Sequence, residues 1–101
     1  MYKVYITETA QEDVLSSEKY ILDILKSPQA ARDLISEFEA CTALLKRQPL
    51  VYNAVRNKKL AEKGYRTMRC KNFLIFYKIK GKTVRIIRFL HSKREWSFIL
   101  H

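Results

Sequence analysis

The stretch "NFLIFYKIKGKTVRIIRFLH" (72–91) holds two β-prone apolar runs separated by a short turn around Gly81. The runs 72–79 and 83–90 are each long enough for a strand, and so short a connection makes neighbouring strands antiparallel. Their apolar residues are nearly continuous. We therefore expect one face of the resulting sheet to pack on helices and the other face to be at least partly covered.

Two further strands flank this hairpin in the sequence. The segment "YRTMRC" (65–70) predicts a strand that a tight Lys71-Asn72 turn joins to the hairpin. At the other end of the chain, "YKVYI" (2–6) alternates apolar and polar positions and predicts a short first strand.

Two amphipathic helices are predicted between the first strand and the other three. Thr9 and Glu12 have the spacing of a capping box before a helix over about residues 10–26. Ser27, followed by Pro28, begins a second helix that runs to about Arg47. Helices joined this tightly form an αα-hairpin.

The predicted element order is therefore β-α-α-β-β-β, which indicates a single α+β domain over residues 1–101. The αα-hairpin packs on a small, mainly antiparallel sheet. Ser92 and Glu95 form a second capping box, which predicts a short C-terminal helical turn carrying Trp96, Ile99 and Leu100.

Charge divides the chain into two unequal parts. Residues 1–45 hold eight acidic and four basic side chains, whereas residues 46–101 hold sixteen basic side chains and only Glu62 and Glu95. The two parts therefore carry −4 and +14, which sum to the net charge of +10. Such asymmetry points to a polyanionic partner for the second part, either nucleic acid or an acidic protein. A solvated basic face is the alternative.

Other classes of protein are disfavoured by simple features. No apolar run approaches the ~20 residues of a membrane span, and no signal-peptide pattern begins the chain, so we expect a cytoplasmic protein without a membrane partner. Cys41 and Cys70 lie far apart without metal-ligand spacing. We expect two reduced, buried thiols, and neither a metal nor a cofactor.

Arginines interrupt the predicted strands at regular positions. Strict alternation along the last strand gives two sets of side chains on opposite faces: Arg85, Ile87, Phe89 and His91, and Ile86, Arg88 and Leu90. Arg66 and Arg69 likewise fall on opposite faces of their strand. One arginine from each strand can thus share a face and bind the same phosphate through its planar fork. The alternative is that these arginines lie at the sheet edge and only extend their charged ends into water.

The chemistry that fits these residues is metal-free RNA cleavage, in which a ribose 2′-hydroxyl attacks the adjacent phosphate. The protein then has to position the strand, stabilise negative charge and move two protons. Candidates for the charge are Arg66, Arg69 and Arg88, with Lys58, Lys59, Lys93 and Arg94 as further phosphate-binding residues, and candidates for the proton are His91 and Tyr77. The alternatives are a strand-end histidine bonded to a carbonyl group and a tyrosine that only packs in the core.

The segment "GYRTMRCKNFLIFYKIKGKTVRIIRFLHSKREW" (64–96) resembles the RelE/ParE superfamily of bacterial type II toxin-antitoxin toxins. The matching motifs are the Gly-Tyr-Arg start of a strand at Gly64, the aromatic strand that begins at Asn72, and the strand end from Arg88 to Trp96. Element order extends the similarity over essentially the whole chain.

The resemblance implies a small toxin that an acidic antitoxin wraps and neutralises. RelE-like members cut messenger RNA on the ribosome, and ParE-like members inhibit DNA gyrase, so the resemblance leaves both targets open. Trp96 stands where RelE-like members have a tyrosine, and "MRC" and "LHSKRE" are closer to ParE-like members. We expect messenger RNA cleavage, with Arg88 and His91 as the most important pair, and keep gyrase inhibition without catalysis and a non-toxic nucleic-acid-binding protein as alternatives.

Overall fold

The computed structural model describes residues 1–52, 57–94 and 100 of the chain. Its strands are β1 (Lys3–Ile6), β2 (Arg66–Cys70), β3 (Phe73–Lys80) and β4 (Thr83–His91), and its helices are α1 (Glu8–Asp23), α2 (Pro28–Arg47) and the short α3 (Lys58–Glu62). The predicted α+β class and the order of the two long helices and four strands are confirmed, and α3 is an additional short helix between α2 and β2 that the sequence did not predict. The predicted terminal turn lies mostly outside the described residues.

The four strands form one sheet in the order β1-β4-β3-β2. The neighbours β2 and β3, and β3 and β4, are antiparallel as predicted, whereas β1 lies parallel to the edge of β4. Lys71 and Gly81 have φ angles of 55° and 60° in the two connecting turns, a region that glycine adopts readily. β4 is thus a central strand over the length that β1 covers.

The N-terminal end of α1 differs from the prediction. The helix begins at Glu8, and Thr7, not Thr9, caps it by accepting the Ala10 N–H at 3.2 Å. The Thr7 hydroxyl lies 2.9 Å from the carbonyl oxygen of Ile86 as well. This bond to β4 fixes Thr7 at the cap position, and the predicted capping box is wrong. The start of α2 at Ser27 and Pro28 is confirmed.

Two apolar cores lie on opposite faces of the sheet. The main core lies under the αα-hairpin and contains residues such as Leu34, Phe38, Tyr77 and Phe89. The second core lies on the other face and contains Leu60, Tyr65, Phe76, Leu90 and Leu100, all buried. Both cysteines are free and buried, as predicted. The expectation of a covered second face is therefore confirmed.

A β-bulge at Ile87 changes the faces of β4. Tyr77 pairs with Ile86 and Phe76 pairs with Arg88, so Ile87 is the extra residue. Ile86 and Phe89 consequently both enter the main core, whereas Ile87 and Leu90 belong to the second core. The predicted strict alternation, which placed Ile87 with Phe89 and Ile86 with Leu90, is wrong past this point.

Candidate functional site

The second half of β4 continues beyond the end of β1, so its edge needs another partner. Asp13 of α1 supplies it. One carboxylate oxygen, Oδ2, accepts the backbone N–H of Phe89 at 3.0 Å and Nε of Arg88 at 2.7 Å. The other oxygen, Oδ1, accepts Nη2 of Arg88 at 2.9 Å. Asp13 therefore binds both the backbone and a side chain of the strand end.

This contact changes the expected role of Arg88. The ion pair is largely shielded, because the two side chains are only 20% and 13% exposed. The hydrogen bond to Asp13 raises the pKa of Arg88 above its already high ordinary value. Since the fork of the guanidinium is engaged by a carboxylate, this conformation does not present Arg88 as a free phosphate ligand. Its observed part is to hold α1 on β4.

His91 lies at the last position of β4 and is half-buried. Its Nδ1 accepts the backbone N–H of Lys93 at 3.2 Å, so the neutral ring carries its proton on Nε2. The ring also meets Phe73 edge to face, with centroids 5.3 Å apart. These contacts orient the imidazole, and Nε2 has no hydrogen-bond partner among the described residues. The bond is to a backbone N–H, not to the carbonyl group of the alternative interpretation.

A cavity of about 500 Å³ opens beside His91, between α1, the start of β3 and the end of β4. Its walls come from α1 (Ser16, Ser17 and Tyr20) and from the sheet (Phe73, Phe89 and His91), with Arg94 beyond the strand end. Phe73 and Phe89 stack with centroids 4.7 Å apart. The cavity therefore combines an aromatic wall, hydroxyl groups, an oriented imidazole and a cation.

Arg66 and Arg69 do not converge with His91. Arg66 donates a hydrogen bond to the carbonyl oxygen of Tyr52, and Arg69 donates one at 3.0 Å to the carbonyl oxygen of Lys71. Arg66 shares a side of β2 with the main-core residue Met68, and the exposed Arg69 is on the opposite side. A common phosphate site for Arg66, Arg69 and Arg88 is therefore not formed in this structure.

The remaining predicted residues divide between surface and interior. Lys58 and Lys59 are exposed on α3, and Lys93 and Arg94 are exposed after β4. Tyr77 is fully buried and donates a hydrogen bond of 2.7 Å to the carbonyl oxygen of Pro49. Burial raises the pKa of Tyr77 to about 12. This position favours core packing over the predicted proton transfer.

Sequence reasoning missed the contribution of α1. Asp13, Ser16, Ser17 and Tyr20 line the cavity, yet the sequence alone singled out none of them. A signal was present, because Asp13 adjoins the buried stripe of Ala10, Val14 and Ile21. A carboxylate at the border of a buried helix face needs a partner from the element packed against that face.

Comparisons with known proteins place this fold in a family. The family model of the ParE toxin of the type II toxin-antitoxin system parDE matches residues 4–96. The chain therefore belongs to the ParE toxin family, and the resemblance to the RelE/ParE superfamily is confirmed. A search of curated protein sequences gave no match.

Several solved structures, including two of toxin-antitoxin systems, have the same fold. A chain of the chromosomal ParDE system from P. aeruginosa has a TM-score of 0.70 and 21% identity, over 90% of this chain and 96% of that one. A chain of the RelBE2 complex from Mycobacterium tuberculosis has a TM-score of 0.62 and 28% identity, over 89% and 96%. A chain of the E. coli DinJ-YafQ complex has a TM-score of 0.62 and 18% identity, over 91% of this chain and 94% of that one.

The described helices contain no segment that is both long enough and apolar enough to span a membrane.

Proposed function

We propose that this toxin arrests growth by cutting messenger RNA on the ribosome, with His91 as the residue that moves a proton. The observation that carries the proposal is the oriented imidazole of His91, which lines an open cavity together with Arg94 and whose Nε2 has no partner in the part of the chain that the structure describes. An imidazole serves as either acid or base. In the neutral ring of His91 the proton is on Nε2, so donation of that proton to the leaving 5′-oxygen requires that Nδ1 first take up a second proton in place of its bond with Lys93. Cleavage by the neighbouring 2′-hydroxyl requires this proton transfer.

Positive charge along the second half of the chain supports binding of the RNA backbone. Lys93 and Arg94 are exposed next to His91, and Arg69 is exposed on β2, at the opposite edge of the sheet from β1. Lys58 and Lys59 are exposed on α3, whose Leu60 packs in the second core. We assign these five side chains to phosphate binding and Arg88 to positioning β4 through Asp13. Phosphate contacts of this kind fix the orientation of a strand without reading its sequence.

An acidic antitoxin is the proposed protein partner. The solved ParDE and RelBE2 structures are toxin-antitoxin systems, and the RelBE2 and DinJ-YafQ structures are described as complexes. In this chain, residues 46–101 carry sixteen basic and two acidic side chains, so an acidic segment has complementary charge. We expect apolar contacts to supply most of the affinity, with charge pairing at the rim.

DNA gyrase is the second candidate target. Gyrase inhibition is the activity that the sequence resemblance assigns to ParE-like members. The family model that matches the chain is that of the ParE toxin. The separation of Arg66 from Arg69 and the engagement of Arg88 by Asp13 also favour it, because a nuclease needs several convergent cations. A protein target does not require such convergence.

The decisive experiment measures both activities with one purified toxin. Cleavage of ribosome-bound message and inhibition of gyrase supercoiling are compared for the wild type, His91→Gln and His101→Gln, which alters the only other histidine of the chain. We expect wild-type cleavage and a ~10²–10⁴-fold lower rate in His91→Gln, because glutamine cannot transfer the proton. His101→Gln should cleave like the wild type.

Either of two results would reject the proposal. One is wild-type inhibition of supercoiling without message cleavage, which identifies gyrase as the target. The other is undiminished cleavage by a His91→Gln variant that melts at the wild-type temperature, which removes His91 from the chemistry.

A further inference from the structure

We propose that the cavity beside His91 binds one nucleobase of single-stranded RNA, which makes it a recognition site and not only a space next to the catalytic residue. This inference rests on the proposed messenger RNA cleavage and adds a substrate-binding site to it. The cavity volume of about 500 Å³ lies within the ~300–1,000 Å³ that is usual for small-ligand sites.

Tyr20 provides the first argument. The residue is 55% exposed at the edge of the cavity, and no hydrogen bond or ring contact holds its side chain among the described residues. Single-stranded RNA is recognised chiefly by bases that stack on aromatic rings. An exposed tyrosine one helical turn from Ser16 and Ser17 offers such a stacking surface, with hydroxyl groups nearby to bond a base edge.

Charge provides the second argument. Asp13 lines the same cavity, but its two oxygens already accept three hydrogen bonds from Arg88 and the Phe89 N–H. The one carboxylate among the described lining residues is therefore paired and does not repel a phosphate by a free charge. Arg94 lies on the lining, is exposed and has no ion pair among the described residues, so it supplies positive charge where the phosphate next to the base would lie.

The position of His91 provides the third argument. His91 lines this cavity, and its Nε2 makes no hydrogen bond to any described residue. A base held against Tyr20 would place its own ribose and phosphate near the imidazole. Binding of the base would then position the scissile bond, which is the entropic part of catalysis.

The test uses fluorescein-labelled hexaadenylate with 2′-O-methyl riboses, a probe that cannot be cleaved because its attacking hydroxyl is blocked. Binding is measured by fluorescence anisotropy. Tyr20→Ala should weaken binding ~5- to 150-fold, the fold-change that corresponds to the ~1–3 kcal/mol of one base-aromatic stack. Tyr20→Phe should retain binding, because the stacking ring remains. Ser16→Trp, a change at an exposed helix position, should fill the cavity and weaken binding as strongly.

Tyr5→Ala is the matched control, because Tyr5 is also 55% exposed but lies on β1, away from the cavity. It should bind like the wild type. Wild-type affinity in both Tyr20→Ala and Ser16→Trp would overturn the inference. An equal loss of affinity in Tyr20→Ala, Ser16→Trp and Tyr5→Ala would overturn it as well, as would no binding by the wild type.

The two proposals fail separately. Probe binding that depends on Tyr20, without cleavage of ribosome-bound message, would retain the base site and reject the nuclease. Cleavage by wild type and Ser16→Trp at the same rate would retain the nuclease and reject the base site.

Discussion

The two halves of β4 differ in what holds them. In the first half, β1 pairs with residues 83–86 in parallel and β3 pairs on the other side, and Val84 and Ile86 are fully buried. In the second half β1 has ended, and the carboxylate of Asp13 binds the Phe89 N–H and the Arg88 guanidinium in its place. Where a strand loses a backbone neighbour, a side chain completes its hydrogen bonds, and polar groups become accessible next to it.

The substitution with the largest expected effect removes Asp13, which holds the second half of β4. Asp13→Ala removes the partner of a guanidinium that is only 20% exposed and leaves the Phe89 N–H without its acceptor. Breaking a largely buried ion pair on one side lowers the free energy of unfolding by about 3–5 kcal/mol. Urea denaturation followed by circular dichroism measures this loss.

Asp23→Ala is the control for that measurement. It removes an ion pair with Lys19 whose side chains are 80% and 56% exposed. Water and salt screen such a pair, so the free energy of unfolding should change little. Similar losses in the two aspartate variants would contradict the assignment of Asp13 as the residue that holds the second half of β4.

Alkaline pH should weaken the first half through Tyr77, which pairs with Ile86 just before the bulge. Burial raises its pKa to about 12 from an ordinary value of 10.0, so between these values the unfolded chain loses a proton that the folded chain keeps. The free energy of unfolding therefore falls as pH rises from 10 to 12, by about 1.4 kcal/mol per pH unit from this group. Below pH 10 the contribution is constant.

Tyr77→Phe isolates the contribution that titration of the Tyr77 phenol makes to the free energy of unfolding. It loses the hydrogen bond to Pro49, which costs about 1 kcal/mol at neutral pH, but it has no phenol to titrate. Its deficit relative to the wild type should shrink and then reverse between pH 10 and 12. Tyr20→Phe, at an exposed position, should show no such reversal. Parallel curves for wild type and Tyr77→Phe would place the Tyr77 hydroxyl in water.

Thr7 lies at the junction of the two halves, where its backbone N–H and its hydroxyl both donate to the carbonyl oxygen of Ile86. Thr7→Val keeps the shape of the side chain but removes the helix cap and the hydroxyl bond to β4, whereas the backbone bond to Ile86 remains. We expect the free energy of unfolding to fall by about 1 kcal/mol. Thr9→Val, at an exposed position that does not cap α1, should change it by less than about 0.5 kcal/mol. A larger loss of unfolding free energy in Thr9→Val than in Thr7→Val would support the capping box predicted from the sequence.

The comparison also shows which features the sequence was able to predict. Local signals specified local structure: the turn at Gly81 produced the β3-β4 hairpin, and Ser27 with Pro28 began α2. The bulge at Ile87 was not predictable by alternation. The run "IIRFL" is apolar on both faces, so a shift of register leaves its hydrophobic pattern unchanged.

The candidate site was predictable only in part, for a related reason. His91 and Arg94 lie on the cavity, and their position at the end of an apolar strand is visible in the sequence. The pairing of Asp13 with Arg88 joins residues 75 positions apart, and no local pattern encodes it. It also changes the interpretation of Arg88, since a side chain expected to bind phosphate is neutralised by a neighbour.

The smallest expected effect is on the salt dependence of binding to the 2′-O-methyl hexaadenylate. This measurement compares the contributions of Arg88 and Arg94 to phosphate binding. If the toxin neutralises about five phosphates, log affinity falls against log salt with a slope of about −3.5, and each contact contributes about 0.7. Arg94→Gln should therefore make the slope about 0.7 less steep. The double variant Asp13→Asn with Arg88→Gln removes one charge of each sign from a pair that already neutralises itself, so its slope should equal that of the wild type, provided that circular dichroism shows it to be folded. The opposite result would be an unchanged slope in Arg94→Gln and a less steep slope in the double variant. It would show that Arg88 leaves Asp13 to bind phosphate. The phosphate-binding cation of the second half of β4 would then be Arg88, next to the bulge, and not Arg94, beyond the strand end.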